Sequence, residues 1–296
     1  MSSENNNEQF KLENLFNVKD KVVVVSGGGS GIGLMATQAF AVNGAKVYII
    51  GRTKEKLDKV AEVYGKDIPG QIVPLQGDIT SKESIAAMVK EIESKEKCVC
   101  ILVNNAGISS KTLQTEAKSA EEMKANLFDN ADSTFEDWTE TYRTNVPQCF
   151  FMTTAFLPLL AKATEHQYGF SGCVINTSSI SGIVKTSQHH FAYNASKAAT
   201  IHLTKMLASE IAANGIKVRV NTIAPGVFPS EMTADDSDDK QKSFVPAEKY
   251  HEKTSAMRPG NDRDMGNAML FAATNQYLNA GVVVVDGGYV LTQGAL

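Results

Sequence analysis

Residues 21–33 read KVVVVSGGGSGIG, so that four consecutive valines run directly into a segment containing five glycines. Valine favours β-strands, and an apolar run without polar alternation is typical of a strand that is buried on both faces. Glycines permit a tight turn and a close approach of the backbone to a ligand. Because the apolar spacing after Gly33 is helical, this order predicts a strand, a ligand-facing turn and a helix. A turn that is merely tight is the alternative.

Further apolar, β-branched runs alternate with helical patterns along the chain, which predicts βαβ units. We therefore expect the α/β class: a single Rossmann-type, doubly wound domain with a seven-stranded parallel sheet and helices on both faces. The predicted strands are residues 21–25, 46–50, 72–76, 99–103, 173–177, 217–221 and 282–285.

Local signals indicate where several helices begin and end. Thr80 with Glu83, and Ser133 with Glu136, have the spacing of a capping box. Gly44, preceded by asparagine, is typical of the end of a helix. These positions predict helices that start near residues 80 and 133.

Pro147 should break or kink the helix that starts near residue 133, because its ring removes an amide donor and crowds the carbonyl four residues earlier. Outside the regular pattern we expect a loose extension over residues 1–15, a charged loop over 109–132 and a lid over about 228–261. Residues 16–296 are expected to form the single Rossmann-type domain.

The composition excludes several classes of function. A chain of 296 residues with 43% hydrophobic residues, 21% charged residues and a net charge of −4 has no electrostatic footprint for nucleic acid or an anionic membrane. It has no run of about 18 apolar residues and no signal-peptide pattern, so we expect a cytoplasmic protein with a small-molecule partner. The cysteines lack zinc-site spacing, which predicts no metal site and four buried free thiols: Cys98, Cys100, Cys149 and Cys173.

Three motifs together resemble the short-chain dehydrogenase/reductase family. They are Gly27-x-x-x-Gly31-x-Gly33, the segment Asn-Asn-Ala-Gly at 104–107, and Tyr193-x-x-x-Lys197. The resemblance covers roughly residues 17–292 and points to the NADP(H)-preferring branch of carbonyl and 3-oxoacyl reductases. It implies a nicotinamide cofactor, a carbonyl or alcohol substrate, and a homodimer or homotetramer.

The choice of cofactor is made at the end of the second predicted strand, where an acidic residue would hold a free ribose 2′-hydroxyl. The chain has Gly51-Arg52 there, and a guanidinium binds a phosphate in bidentate fashion, which predicts NADP(H). Thr53 would add a hydroxyl contact. In the alternative, Arg52 is an ordinary solvated residue and Thr53 only caps the next helix. Ser30 stands where some NADPH-dependent members of the family carry a basic residue.

The resemblance also implies the remaining cofactor contacts. Asp78 and Ile79 would border the adenine pocket, and Ser230 would contact the nicotinamide carboxamide. Asn104 either belongs to this site or chiefly ties adjacent strands together. The expected cofactor-binding residues are Ser26, Gly27, Gly29, Ser30, Gly31, Ile32, Gly33, Arg52, Thr53, Asp78, Ile79, Asn105, Ala106, Gly107, Tyr193, Lys197, Pro225, Gly226 and Ser230.

Tyr193 and Lys197 are four residues apart in a helical pattern, so both side chains project from one face. An ammonium beside a phenol favours the phenolate, which makes the tyrosine a usable proton donor or acceptor. By resemblance, Lys197 also holds the cofactor ribose. Asn145 corresponds to the family asparagine that helps to hold a water leading to the lysine; a plain helix-terminating asparagine is the alternative. For an isolated Tyr-Lys pair, surface packing would be the simpler interpretation.

The catalytic serine must be chosen among Ser178, Ser179 and Ser181. In the family this serine precedes a glycine by three residues, which selects Ser179 before Gly182. Tyr193 follows it by fourteen positions where many relatives have thirteen, so we expect one extra residue in the intervening loop. The Ser179 hydroxyl would bond the substrate oxygen as the carbonyl accepts hydride.

Together these residues predict an NADPH-dependent oxidoreductase that reduces a ketone to a secondary alcohol. The alternatives are an NAD-linked polyol or secondary-alcohol dehydrogenase and a non-catalytic protein that senses NADPH. The substrate stays open among ketones, ketoses or polyols, and 3-oxoacyl thioesters. His189 and His190 either face the pocket or form a solvated loop pair. Residues 286–288, Asp-Gly-Gly, are expected to form a structural turn at a subunit contact.

Overall fold

The computed structural model describes residues 7–167, 169–234 and 237–294. Seven strands form one sheet in the order β3-β2-β1-β4-β5-β6-β7, and every neighbouring pair is parallel. The predicted seven-stranded parallel sheet is therefore confirmed. The strands are β1 (Val22–Ser26), β2 (Lys46–Gly51), β3 (Gln71–Gln76), β4 (Ile101–Asn104), β5 (Gly172–Thr177), β6 (Val218–Pro225) and β7 (Val282–Val285).

Helices connect these strands and cover them. The helices of the described residues are α1 (Leu12–Leu15), α2 (Gly31–Ala41), α3 (Lys54–Tyr64), α4 (Lys82–Glu93), α5 (Ala120–Leu127), α6 (Phe135–Asn145), α7 (Pro147–His166), α8 (Phe191–Ala213), α9 (Glu231–Ala234), α10 (Asp262–Thr274) and α11 (Tyr289–Gln293). Short 3₁₀ turns occur at Asn7–Phe10, Ile180–Gly182 and Ala247–Tyr250.

Two hydrophobic cores lie on the two faces of the sheet. Val23 and Val25 of β1 pack in the core that contains α2, α3 and α10, whereas Val24 packs in the core that contains α4, α7 and α8. Successive side chains of a strand point to opposite faces, so a strand covered on both sides is apolar at every position. This is the physical reason for the continuous valine run, and it confirms helices on both faces.

Only β7 has both predicted bounds: β1, β2, β3 and β5 differ from the prediction by one residue at one or both ends, and β4 and β6 differ by more. β6 continues four residues past residue 221, because its polar side chains are buried in hydrogen bonds rather than exposed at a strand end. Thr222 pairs with Val282 of β7, and its hydroxyl donates to Thr204 Oγ1 of α8 at 2.8 Å. β4 begins two residues later than predicted, since the amide of Val99 donates to the carbonyl of Leu159 in α7.

Two helix starts were predicted one residue too early. Ser81, not Thr80, caps α4 by accepting a hydrogen bond from the Ser84 amide at 3.2 Å, and Thr134 caps α6 in the same way. Thr80 instead donates from its amide and its hydroxyl to Asp78 Oδ1. Adjacent hydroxyl residues fit the capping pattern equally well, and only the path of the chain selects between them.

The remaining boundary predictions have mixed outcomes. Pro147 does break the helix, because α6 ends at Asn145 and α7 begins at the proline. Gly44 adopts a φ of +91° after the end of α2, as expected for a helix stop. The predicted loop over 109–132 contains helix α5, which Ser119 caps. Residues 7–15 form a 3₁₀ turn and α1 with exposed side chains, and residues 1–6 lie outside the described residues.

The four cysteines are buried and free, as predicted. Burial raises the pKa of the Cys149 thiol to about 12. In the described part of the chain, the run Phe135–His166 is long and apolar enough to cross a membrane by length and composition alone. However, Met152, Phe156 and Leu160 are fully buried in the core beneath the sheet, which is how the core helix of a globular protein behaves.

Arg219 of β6 is only 5% exposed and makes no ion pair with any described carboxylate. Its guanidinium donates to the backbone carbonyls of Ala273 at 2.7 Å and Asn275 at 3.0 Å, at the end of α10, and to Ser171 Oγ at 2.9 Å. The last carbonyls of a helix have no partners within the helix and carry partial negative charge. Arg219 therefore fastens α10 to the sheet.

We expect Arg219→Met to lower the free energy of unfolding by about 3 kcal/mol, because it strands several buried carbonyls while keeping much of the side-chain volume. Urea unfolding followed by circular dichroism measures this. Arg263→Met is the matched control, since Arg263 is exposed on α10, and it should change the value by less than about 0.5 kcal/mol. If both variants have the same urea midpoint and the same denaturant slope, Arg219 does not fasten α10 to the sheet.

Candidate functional site

A cleft of about 960 Å³ lies at the carboxyl ends of the central strands. Its walls come from the segments that follow β1 to β6. The chain moves from β1 outward to β2 and β3, and then returns to place β4 on the other side of β1. In a doubly wound sheet, ligands bind at this point of reversal, because the loops diverge there and leave a crevice.

The glycine-rich turn forms one wall of the cleft. Gly27 has a φ of +68°, and a Cβ at this position would lie 3.0 Å from the Cα of Ala106. A Cβ on Gly33 would lie 2.0 Å from the carbonyl oxygen of Gly27, so α2 can start this close to the turn only with glycine there. Gly29 to Ile32, which include the start of α2, line the cleft, and the free amides of a helix N-terminus suit a phosphate.

Ser26 and Gly33 do not line the cleft, although the sequence placed both among the cofactor contacts. The buried Ser26 hydroxyl accepts hydrogen bonds from the amides of Asn105 and Ala106 at 3.0 and 3.2 Å. It therefore ties the turn after β4 to the turn after β1. Ser26 and Gly33 therefore support the glycine-rich turn from the side away from the cleft and do not contact a ligand in it.

Arg52 and Thr53 line the cleft at the end of β2. Arg52 forms no ion pair with the described residues, and Thr53 occupies the N-cap position of α3 without a capping bond from its hydroxyl. Asp78 and Ile79 also line the cleft. Hydrogen bonds from Thr80 lower the pKa of Asp78, and the positive charge of Arg52 adds to this. The wall therefore offers a cation without an ion pair to the described residues and a hydroxyl without a capping bond.

Asn104 is buried behind the cleft and connects strands. Its Nδ2 donates to Asn176 Oδ1 of β5 at 2.8 Å, and Asn176 Nδ2 donates to Thr204 Oγ1 of α8 at 2.8 Å. The structure thus supports the reading in which Asn104 ties adjacent strands. The same chain of bonds reaches the helix that carries Tyr193.

Tyr193 and Lys197 both line the cleft from α8. The ammonium of Lys197 lies 5.4 Å from the centroid of the Tyr193 ring and donates to the carbonyl of Thr177 at 3.1 Å. Lys197 is 4% exposed and makes no ion pair among the described residues. An ammonium has three donors, so Lys197 retains donors for a ligand in the cleft.

Of the three candidate serines, Ser179 is the one whose hydroxyl donates no hydrogen bond to another described residue. Its Oγ accepts from the amide of Ser181 at 3.1 Å and lines the cleft. In contrast, the Ser178 hydroxyl donates to the carbonyl of Lys197, and the Ser181 hydroxyl donates to Gln188 Oε1, both at 2.7 Å. Ser179 can therefore donate a hydrogen bond to a ligand without breaking a bond within the protein.

The Asn145 side chain does not face the cleft. It pairs with the backbone of Ile108, accepting from the amide at 2.9 Å and donating to the carbonyl at 3.0 Å, and it donates to Ser196 Oγ at 3.0 Å. A Cβ on Gly107 would lie 2.9 Å from Asn145 Oδ1 and 3.5 Å from Lys197 Nζ. Asn145 therefore fixes the turn after β4 beside the lysine.

Thr177, at the end of β5, was missed by the sequence reasoning. It lines the cleft and is 7% exposed, yet its Oγ1 is buried without a hydrogen-bond partner. A buried hydroxyl without a partner costs free energy, so this atom is suited to a polar ligand group. The orphaned hydroxyl, the glycine cradle and the uncommitted Arg52 together fit a nicotinamide dinucleotide. A hydroxyl residue ending a buried strand was the only local signal for Thr177.

The segment after β6 covers part of the cleft. Ser230 packs on the glycine turn, since a Cβ on Gly31 would lie 2.8 Å from its Cβ. Pro225, Gly226, Phe228 and residues 230–233 line the cleft, but the other described residues of the predicted lid over 228–261 do not. Residues 235 and 236 lie outside the described residues. The later part of the segment makes hydrogen bonds to α2, α3 and α10. The lid over 228–261 stays a prediction.

His189 and His190 fit neither predicted alternative fully. They do not line the cleft, and each is only partly buried. Nδ1 of His189 lies 3.1 Å from the carbonyl of Leu113, and Nδ1 of His190 lies 3.3 Å from the carbonyl of Ser110. They join the loop after β4 to the start of α8. The expected longer loop before Tyr193 includes this pair, with His189 at a φ of +66°.

Residues 286–288 form a structural turn, as predicted, and their place at a subunit contact stays a prediction. The Asp286 carboxylate accepts hydrogen bonds from the amides of Gly288 and Val290 at 2.9 and 2.8 Å. A Cβ on Gly226 would lie 2.7 Å from the Cα of Asp286, so this turn packs directly behind the Pro-Gly segment of the cleft.

Comparison with known proteins agrees with this geometry. The model of the short chain dehydrogenase family matches residues 21–241. The chain is 41% identical to short-chain dehydrogenase/reductase PhomF of Diaporthe leptostromiformis over 93% of this chain and 92% of that protein. It is 32% identical to galactitol 2-dehydrogenase (L-tagatose-forming) of Cereibacter sphaeroides over 94% of this chain and 98% of that protein. The solved RhlG/NADP active-site complex of Pseudomonas aeruginosa superposes with a TM-score of 0.74 at 27% identity, over 93% of this chain and 98% of that one. The chain belongs to the short-chain dehydrogenase family.

Proposed function

We propose that the protein is an NADPH-dependent oxidoreductase that reduces a ketone or related carbonyl to a secondary alcohol. The observation that carries this proposal is the convergence of Ser179, Tyr193 and Lys197 on the same cleft as the glycine cradle and Arg52. A proton donor, a buried cation and a hydroxyl donor thus meet next to a surface that suits a dinucleotide.

Each residue has a defined task in this reaction. When bound, the reduced nicotinamide supplies a hydride to the carbonyl carbon. Tyr193 gives its phenolic proton to the carbonyl oxygen, which completes the alcohol, and Ser179 donates a hydrogen bond to that same oxygen. Lys197 stabilises the resulting phenolate, since its buried ammonium acts through a medium of low dielectric constant. The reverse reaction uses the same groups in the opposite protonation states.

The preference for NADPH is supported by the end of β2. The residues that directly follow β2, Arg52 and Thr53, include no carboxylate to bind a free 2′-hydroxyl, and the nearby Asp78 carboxylate accepts two hydrogen bonds from Thr80. The Arg52 guanidinium and the Thr53 hydroxyl are both available to a 2′-phosphate. The name of the RhlG/NADP complex agrees with this choice for a protein of the same fold.

An NAD-linked polyol dehydrogenase that works oxidatively is the second candidate. Similarity to a galactitol 2-dehydrogenase favours it. The two candidates share the catalytic residues and differ in cofactor and direction. A protein that only senses NADPH has no need for Tyr193, Lys197 and Ser179 together in the cleft.

We expect Tyr193→Phe to lower kcat by at least about 100-fold while the Kd for NADPH stays within about threefold, because only the proton donor is removed. The loss of NADPH absorbance against ketones, ketoses and 3-oxoacyl thioesters measures turnover, and cofactor fluorescence measures binding. Tyr277→Phe is the matched control, since Tyr277 is fully exposed and does not line the cleft. Near-normal turnover by Tyr193→Phe would contradict the assignment, and binding without turnover by the wild type would favour a sensor.

We expect Arg52→Asp to lower the ratio of kcat/KM for NADPH to that for NADH by roughly 100-fold, because it removes a charge-assisted bond and adds repulsion. Steady-state kinetics with both cofactors measures the ratio. Lys54→Asp reverses a neighbouring charge that does not line the cleft, so it should change the ratio by less than about threefold. A ratio that Arg52→Asp leaves unchanged would show that Arg52 does not select the cofactor.

A further inference from the structure

Lys56 lies on the first turn of α3 and lines the cleft, although sequence reasoning did not single it out. A Cβ on Gly29 would lie 3.8 Å from the Cβ of Lys56, which is van der Waals contact. The lysine is therefore adjacent to the glycine turn at the place where Ser30 supplies no positive charge. The fold thus places the ammonium-bearing side chain of Lys56 beside the glycine turn, although Lys56 is not part of the turn in sequence.

The ammonium of Lys56 is held by a carboxylate from the segment that follows β6. Lys56 Nζ donates to Glu231 Oε1 at 2.6 Å, across 175 positions of sequence. The other carboxylate oxygen, Oε2, accepts from Ser30 Oγ at 3.4 Å, and Oε1 also accepts from Ser237 Oγ at 2.9 Å. Lys56 and these hydroxyls hold the pKa of Glu231 below its usual value.

This ion pair is open to exchange. The side chains of Lys56 and Glu231 are 43% and 35% exposed, and pairs with this exposure contribute little stability. A phosphate monoester carries about 1.5 to 2 negative charges at pH 7, more than the single charge of a carboxylate. A phosphate within reach of Lys56 would therefore compete well with Glu231.

The 2′-phosphate expected beside Arg52 would come within the same region. Thr53 and Lys56 are three residues apart at the start of α3, so their side chains lie on one side of the helix. Arg52 directly precedes them and lines the same cleft. The three side chains present two cations and one hydroxyl, while Glu231 is the carboxylate that opposes an incoming anion.

We propose that Lys56 is a second specificity-determining cation for the 2′-phosphate of NADP(H), held by Glu231 until the phosphate displaces that carboxylate. The proposal rests on the proposed preference for NADPH. A cofactor without the 2′-phosphate leaves the Lys56–Glu231 pair intact, so the exchange occurs only with NADP(H). The segment at Glu231 is thereby linked to the identity of the bound cofactor.

Calorimetric titration with adenosine 2′,5′-bisphosphate and with adenosine 5′-monophosphate tests this without turnover. We expect Lys56→Met to weaken the bisphosphate about tenfold and the monophosphate less than twofold, since one charge-assisted bond is lost. Lys56→Arg should retain most of the affinity. Lys59→Met is the matched control, because Lys59 lies on α3 outside the cleft and should change either affinity less than twofold.

The Glu231→Gln variant distinguishes displacement of Glu231 by the phosphate from a purely structural role of the ion pair. Removing the competing charge should tighten bisphosphate binding by about two- to fivefold, and this gain should vanish in the Lys56→Met/Glu231→Gln double variant. Weaker binding of both ligands by Glu231→Gln would instead show that the pair only holds the wall together. Thermal melting of each variant confirms that the fold is intact.

The outcomes separate this inference from the proposed function. If the wild type prefers the bisphosphate and Arg52→Asp abolishes that preference, while Lys56→Met behaves like Lys59→Met, the role of Lys56 is refuted and the NADPH preference stands. If the wild type binds both ligands equally, the NADPH preference and the role of Lys56 are refuted together.

Discussion

The parallel pairing of β1 with both β2 and β4 is the constraint on which the rest of the structure depends. It sends the chain to opposite sides of β1, and the loops that leave the carboxyl ends therefore diverge and open the cleft. Because β1 is the shared neighbour, its glycine turn meets the turn after β4 directly. The buried Ser26 hydroxyl joins the two turns, so the cradle is held by the sheet itself.

Buried polar bonds transmit this order to the catalytic helix. Asn176 links the sheet to α8, and Asn145 links the turn after β4 to Ser196 on the same helix. Hydrogen bonds are electrostatically stronger in a low-dielectric interior than in water. Such a network specifies the position of Tyr193 and Lys197 more sharply than apolar packing does. Asn145, which its motif predicted to be a catalytic residue, thus supports the site through hydrogen bonds within the protein.

The two walls of the cleft differ in a way that suits their proposed tasks. On the catalytic side, Lys197 is almost fully buried and held by the carbonyl of Thr177, so its charge has a fixed position. Beside the glycine turn, Lys56 and Glu231 are partly exposed and bonded to each other. A fixed charge serves a reaction whose geometry must not vary, whereas an exchangeable pair serves the binding and release of a phosphate.

Local patterns were enough to predict the seven parallel strands, the glycine turn and the shared face of Tyr193 and Lys197, because side-chain periodicity and glycine geometry act over a few residues. They also predicted the break at Pro147. They could not predict that β6 extends through Thr222, since its burial depends on partners in α8 and β7. Nor could they find the Lys56–Glu231 contact, because the path of the chain alone brings together residues 175 positions apart. Tertiary structure decided which polar residues face the cleft and which support it from behind, because that depends on where distant segments pack.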